Sequence, residues 1–499
     1  MTTGQRLAAL VLAFALPALA WLGIISGGSF DPFGPSYGWQ AYNYQALSIA
    51  AGRLDIPAEA ISGEGLYLGG EVHMYYGLIP AVLRLPLMPF LDLRTVPVSN
   101  LIVWAMLVAG TAALQLAVLR IWRATGRDAP IDRVLVIVVS FILWFGSGNF
   151  LLVHDANLYH QPYAAAAMLA SIYVAMLATD LLVAGRPPAG TRLIAYAIVA
   201  GLAVYSRQTY AVGLYIATLG LLLPAPSAWG ADRRGAALGA MRAAIVPLAV
   251  MFVAGAGYLA VGYARFGRLT SGWTVRDWGF GIIQPWSNRL ATLDEQQFSA
   301  ARILPNLIYD LIGQGHWRNA AIKALGGGTV EIHGYGTIHY VLFAPLALLL
   351  AGLGAWLLWR LWRTRRDVAV PLLLASFGLL VTALLQSSYG TMSYRYTAEL
   401  WPLLTLLILI ALRHADTSQL APRWRPAAML TMVGLTTVSL AYTTLRKPAV
   451  WFDAPRIEGS LVQPLPPKLA ALATAPGSRD PTIEPIRDRV GDGDYAGPI

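Results

Sequence analysis

Apolar residues in this chain come in blocks of about twenty, the length of helix that crosses a ~30 Å hydrocarbon core. The blocks lie at roughly 7–26, 98–119, 134–153, 162–183, 193–205, 209–224, 244–263, 338–359, 368–386, 398–412 and 426–443. They predict an all-α polytopic membrane protein with about eleven transmembrane helices. Residues 193–224 are long for one crossing and short for two, and Ser206, Arg207 and Gln208 interrupt them midway. The opening MTTGQR followed by LAALVLAFALPALA resembles a signal peptide, with small residues at Ala18 and Ala20. Its apolar run continues through WLGIIS, which suits an uncleaved first span.

Orientation follows from the arginines between blocks. Arg120, Arg123, Arg127 and Arg133 follow the second span; Arg186 and Arg192, then Arg233, Arg234 and Arg242, then Arg360, Arg363, Arg365 and Arg366, then Arg413, Arg423 and Arg425 follow later ones. All fall on one side if the N-terminus is inside, as the positive-inside rule requires. Because both connectors flanking 193–224 are basic, that segment must go out and return, leaving Arg207 near the outer face. The C-terminus is then outside. The transmembrane unit is 1–443, with two long outer loops at 27–97 and 264–337, and a proline- and charge-rich tail at 444–499 expected to be mostly extended.

Both loops carry interfacial signals. GWQAYNYQALSIAAGRLD reads as a short amphipathic helix lying on the membrane. GEGLYLGGEVHMYYG has the glycines of turns, and LIPAVLRLPLMPFL is an apolar, proline-broken stretch suited to re-entry or the interface. In the second loop, Trp273, Trp278, Trp286 and Trp317 favour headgroup depth, and QQFSAARILPNLIYDLI reads as another interfacial helix. Arg53 and Arg84 read as headgroup contacts.

Composition narrows the class further. Hydrophobic residues make up 57% of the chain and charged ones 12%, too few charges to cover a soluble protein of this length. The formal charge of +10 is accounted for by arginines beside the spans, so nucleic acid is not implied. With no cysteine, thiol chemistry, disulfides and cysteine-held metals are excluded. There is no P-loop, zinc or dinucleotide motif.

Polar residues then converge on the outer ends of the helices. Asp31 follows the first span; LLVHDANLYHQPY places His154, Asp155, Asn157 and His160 in a hairpin without lysine or arginine; Arg207 breaks the fifth and sixth spans; Tyr394, Arg395, Tyr396 and Glu399 lie between the ninth and tenth. Ionisable groups at a membrane boundary are costly unless they line a wet cavity and find partners. Structural readings stand beside this one: Asp31 as a turn before Pro32, His154 and Asp155 as a mutual pair, Arg395 as the partner of Glu399. A divalent metal held by His154, Asp155 and His160 is a further alternative that loop spacing does not indicate, and no cofactor is called for.

Four stretches, in order, resemble the glycosyltransferase C superfamily, bacterial integral membrane transferases that use polyprenyl-phosphate sugars. They are GGSFDPFGPSYGWQAYNYQAL; AGRLDIP with EGLYLGGEVHMYYGLIPAVLRLP; VHDANLYHQPYAAAAMLA; and the pair GLAVYSRQT and SYRYTAELWPLL. Relatives often have glutamate at the position of Asp155, and aspartate where this chain has Asn43. The resemblance implies an inverting transfer at the periplasmic face of the bacterial inner membrane, from a polyprenyl-phosphate-linked donor to an envelope glycan or lipid acceptor, with membrane lipids as the remaining partners. It implies Asp31 as general base with Glu64 second, and Asp155 orienting the acceptor or sharing that role. Arg207 and Arg395 would hold phosphate, assisted by His154 and His160, with Asn157, Tyr394, Asn43 and Tyr76 lining the substrate site. The rival reading is a transporter or flippase of a lipid-linked glycan; it expects paired repeats and midplane charges, and the sequence has neither.

The whole arrangement depends on one compartment holding the hairpin and the helix break. Since the chain has no native cysteine, single cysteines at positions 155 and 207 are expected to react with the same membrane-impermeant reagent from outside. Labelling from opposite sides would overturn the topology.

Overall fold

The computed structural model describes residues 11–61, 65–68, 71–223, 233–267, 269, 298–312, 316–327, 331–332, 340–419 and 421–447. The long helices are α1 (Val11–Ile25), α2 (Trp39–Ala50), α3 (Ser99–Thr125), α4 (Pro130–Leu152), α5 (His160–Val183), α6 (Thr191–Val204), α7 (Gln208–Leu222), α8 (Arg233–Phe266), α9 (Ile303–Ile312), α10 (His316–Ala324), α11 (Pro345–Thr364), α12 (Arg366–Ser387), α13 (Arg395–His414) and α14 (Arg425–Lys447). Two small strand pairs accompany them: antiparallel β1 (Leu66–Leu68) with β2 (Glu71–His73), and parallel β3 (Glu331–Ile332) with β4 (Thr391–Met392). The first is the hairpin that the glycines of residues 63–77 predict as a turn.

Among the described residues seven helices are long and apolar enough to cross a membrane: α3, α4, α5, most of α8, α11, α12 and α13. Helices α1, α6 and α7 are apolar but shorter. Their outer faces are apolar too. Phe252 on α8 is 75% exposed, and Ile137 and Phe377 also face outward. Leaving such side chains in water forfeits roughly 1.5–3 kcal/mol each, whereas hydrocarbon accepts them. The protein is a multi-pass helical membrane protein.

Close helix contacts set the frame. Helices α7 and α12 approach until a Cβ at Gly378 would lie 2.4 Å from the carbonyl oxygen of Gly213, and one at Gly213 would lie 2.0 Å from Thr382 Oγ1. Only glycine permits that backbone separation, the device small residues provide in membrane bundles. The contact brings the N-terminus of α7 beside the C-terminus of α12. The break between α6 and α7 is real: Arg207 is extended (φ −152°, ψ 124°), and two helices leave it.

Helix α2 forms where the amphipathic pattern predicts it, but it is enclosed by protein rather than laid on a surface. Tyr42, Asn43, Gln45 and Ser48 are all buried. The reason is Arg84, itself wholly buried and not a headgroup contact. Its Nε donates to Asn43 Oδ1 (2.7 Å), Nη1 to the Pro80 carbonyl (2.7 Å), and Nη2 to Ser99 Oγ (3.0 Å) and Gln161 Oε1 (2.8 Å). Burial lowers its pKa to about 9, against the opposing pull of Tyr42. Asn43 in turn donates to the carbonyls of Leu93 and Val96, both at 2.9 Å. One guanidinium therefore ties α2, the first loop, α3 and α5 together. Arg53 instead pairs with Asp55 at 3.4 Å. Helix α9 lies within the QQFSAARILPNLIYDLI segment and also buries polar groups, Asn306 and Asp310. Trp317 is exposed, while Trp273, Trp278 and Trp286 lie outside the described residues. Helix α14 runs to Lys447, past the predicted start of the tail, and residues 448–499 lie outside the described residues.

Arg84→Ala removes the donor from two buried amide oxygens, on Asn43 and Gln161. At roughly 1–3 kcal/mol per stranded group, the variant is expected to unfold several degrees below wild type in detergent. An unchanged midpoint would remove Arg84 as the tie.

Candidate functional site

The hairpin 153–159 is built by two successive side-chain turns. Helix α4 bends at Gly146 and restarts with Ser147 Oγ capping the Phe150 N–H at 3.1 Å. Asp155 Oδ1 then accepts the Asn157 N–H (2.9 Å), and Asn157 Oδ1 accepts the N–H groups of Tyr159 (2.9 Å) and His160 (3.0 Å). Asn157 Nδ2 closes the loop by donating to Asp155 Oδ2 at 2.5 Å. Short polar side chains that bond backbone two residues on are favoured in such turns. His160 Nδ1 lies 2.8 Å from the same Asn157 oxygen and 3.7 Å from Asp155 Oδ2. An amide oxygen only accepts, so Nδ1 carries the proton. His154 does not pair with Asp155: its Nδ1 lies 2.8 Å from the Phe150 carbonyl oxygen, and its ring packs edge-on to Phe150 at 4.7 Å. Among the described residues no three His, Asp or Glu side chains group to hold a metal ion.

The arginines divide their partners differently from the sequence expectation. Glu399, at the start of α13, is paired with Arg207 and not with Arg395: Nε to Oε1 is 2.5 Å, and Arg207 Nη2 donates to Gln386 Oε1 at 2.5 Å. The Arg207 guanidinium lies 3.8 Å from the centre of the Tyr163 ring and 5.5 Å from that of Tyr396. Its charge is neutralised inside the protein. Arg395 lies over Tyr159 (4.8 Å) and Tyr396 (5.1 Å), and its field reaches Asp155 and His160. Desolvation raises the Asp155 carboxyl above the usual aspartate range, opposed by the Asn157 donors and by Arg395.

The first loop closes against this group. Leu158 N–H donates to the Tyr37 carbonyl (2.9 Å), Ser36 Oγ to that of Ala156 (3.1 Å), and the Tyr37 and Tyr159 rings stack at 6.1 Å. Tyr76 meets Tyr159 edge-on at 5.9 Å, and its hydroxyl accepts from that of Tyr75 at 2.8 Å. Asp31, on the same loop, is exposed, and its Oδ1 accepts the Phe33 N–H (2.8 Å) in a turn around Pro32. Asn43 is sealed beneath Arg84, away from solvent. Glu64 lies outside the described residues, and of Tyr394 only the backbone, in the 3₁₀ turn opening α13, is described.

The chain is similar to archaeal oligosaccharyltransferase structures. The Archaeoglobus fulgidus oligosaccharyltransferase AglB, solved with an inhibitory peptide and a dolichol-phosphate, shares 11% identity over 89% of this chain and 56% of that one, with a TM-score of 0.49. The apo form of the A. fulgidus enzyme gives 12%, 98%, 61% and 0.47. The form tethered to an acceptor peptide gives 11%, 98%, 59% and 0.48. The chain thus spans less than two thirds of the length of these solved chains. No family model and no curated protein matches the chain.

Tyr159, Tyr163 and Gln386 are the residues that the sequence did not place in the site. Tyrosines flank every polar motif (LYHQPY, SYRY); that repetition was the available signal. The raised Asp155 carboxyl gives a pH test. Its native form holds a proton more tightly than the unfolded chain does, so wild type loses stability as pH rises from the usual value of 3.8 through the raised one. Relative to Asp155→Asn, the wild-type unfolding midpoint is expected to fall across that window; a constant difference would refute the shift.

Proposed function

We propose that the protein is an inverting glycosyltransferase that moves a sugar from a polyprenyl-phosphate donor to an envelope glycan or lipid acceptor, at the periplasmic face of the bacterial inner membrane. The observation that carries this reading is the division of labour between the two arginines. Arg207 is neutralised by Glu399, while Arg395 lies among tyrosine rings within the field of Asp155. A carboxylate that can take a proton from an acceptor hydroxyl and a guanidinium that can meet a leaving phosphate are the two groups the transfer needs.

In the proposed step the acceptor oxygen attacks the anomeric carbon, and the bond from that carbon to the phosphate oxygen breaks. The hydroxyl proton passes to a carboxylate, and the polyprenyl phosphate departs with the bonding pair. A general base works best with a pKa near the operating pH, which the raised Asp155 carboxyl approaches more closely than an ordinary aspartate. Asp31, exposed on the adjoining loop with one oxygen engaged, is the other base within this proposal, and Glu64 the third. Arg395 would stabilise the charge that grows on the phosphate, an interaction strongest in the transition state. Arg207 is reassigned here from phosphate holder to scaffold, and His160 and Asn157 to positioning Asp155. Tyr76, Tyr159 and Tyr396 offer faces on which a sugar ring or isoprene can lie.

Incubation of the purified protein with a polyprenyl-phosphate sugar and an envelope acceptor is expected to release polyprenyl phosphate. Asp31→Ala, Asp155→Ala and Arg395→Ala should each lower transfer by about a hundredfold or more while the protein still inserts. Near-normal transfer by both aspartate variants would remove the base assignment. Vectorial movement of the intact lipid without bond cleavage would replace the enzyme with a flippase.

A further inference from the structure

The end of α11 and the first residue of α12 carry a motif that the transfer reaction does not use, WLLWRLWRTRR at 356–366. It contains three overlapping repeats of tryptophan followed four residues later by arginine. Residues four apart are neighbours on a helix, and within α11 Arg360 lies over Trp356 at 5.0 Å and Arg363 over Trp359 at 4.1 Å, while Arg366, across the helix break at Arg365, lies over Trp362 at 5.9 Å. The rings are not core residues. Trp356, Trp359 and Trp362 are 49%, 50% and 41% exposed, and the opposite side of the helix, through Gly354, Leu357, Leu358 and Leu361, is the buried one.

We propose that this face is a binding site for an anionic phospholipid. The exposed stripe continues up the helix through Gly352, where an added Cβ would meet nothing within 4 Å, to Leu349, itself exposed. An occupant must therefore be apolar along Leu349 and Gly352 and anionic at the ladder, which is the pattern of a phospholipid and not of a free anion. Arg360 and Arg363 lie about 4.5 Å apart along the axis at 1.5 Å per residue, and Arg366 follows at the start of α12, so three like charges gathered at this helix end repel until an anion joins them. None of the three makes an ion pair among the described residues. A guanidinium stacked on a ring keeps its edge donors free for two phosphate oxygens. The indoles desolvate one side of each cation and strengthen that bond. The proposal needs only that α11 crosses a membrane, and stands whether or not the transferase reading does.

The test is native mass spectrometry of the full-length purified protein, with phosphatidylglycerol or phosphatidylcholine supplied at equal amounts in the same detergent. A basic side chain beside an anionic lipid contributes roughly a fivefold gain, so wild type is expected to retain phosphatidylglycerol at least about fivefold better. The triple variant Arg360→Gln, Arg363→Gln, Arg366→Gln should bring that ratio to about one. Removing three exposed charges elsewhere (Arg53→Gln, Arg94→Gln, Lys323→Gln) should leave it unchanged. Replacing the rings (Trp356→Leu, Trp359→Leu, Trp362→Leu) keeps every charge and should still lower the ratio severalfold. Equal retention of both lipids by wild type, or an unaltered preference in the arginine variant, would overturn the proposal. So would displacement of phosphatidylglycerol by a tenfold excess of inorganic phosphate, which would make the site one for the free anion.

Discussion

Arg207 stands in a two-helix break, and everything at that end of the bundle is arranged around its charge. Glu399 neutralises it, Gln386 takes a second donor, and the Tyr163 ring covers its face. These partners come from α13, α12 and α5, and Arg207 itself caps α7. The contact is available only because Gly213 and Gly378 let α7 and α12 close to backbone distance. Stranding either charge in such a place costs about 3–5 kcal/mol, so the pair holds four helices in one register. Arg395, on the same helix as Glu399, lies over the Tyr159 and Tyr396 rings.

A second arginine does the same work with neutral partners. Arg84 is surrounded by two amide oxygens, a hydroxyl and a carbonyl, and no carboxylate joins them among the described residues. Asn43 explains why. Its amide donates to two carbonyls while its oxygen accepts from Arg84. An aspartate there would set a carboxylate oxygen against those carbonyls. Asn43 is thus part of the scaffold. Carboxylates lie instead in the hairpin, at Asp155, and on the loop that packs on it, at Asp31.

The protein therefore meets two solvents in different ways. Helix α8 offers large apolar side chains outward and buries little, as a helix bathed in hydrocarbon does. The ends carrying Asp31, Asp155 and Arg395 are polar and partly open. The other ends carry guanidiniums that cap helix carbonyls or stack on indoles, as Arg127 does on the carbonyls of Arg413 and Ala415 and Arg363 on Trp359. Each environment selects its own way of accommodating charge.

Block length and composition alone determined that the chain is helical and multi-pass, because a run of about twenty apolar residues has one stable state in a bilayer. Among the described residues each predicted span overlaps a helix, and seven of those helices are long and apolar enough to cross a membrane; the break at Arg207 was legible because a charge interrupts an apolar run. The polar hairpin was legible for the same reason. What sequence could not assign was partnership. Arg84 reads as a surface cation until the first loop folds over it, and α2 reads as an interfacial helix until Asn43 is seen beneath Arg84. Glu399 lies four residues from Arg395 but pairs with Arg207, 192 residues away. Periodicity records which residues prefer water or oil; which charge meets which carboxylate depends on how helices distant in sequence cross, and only the tertiary packing decides that.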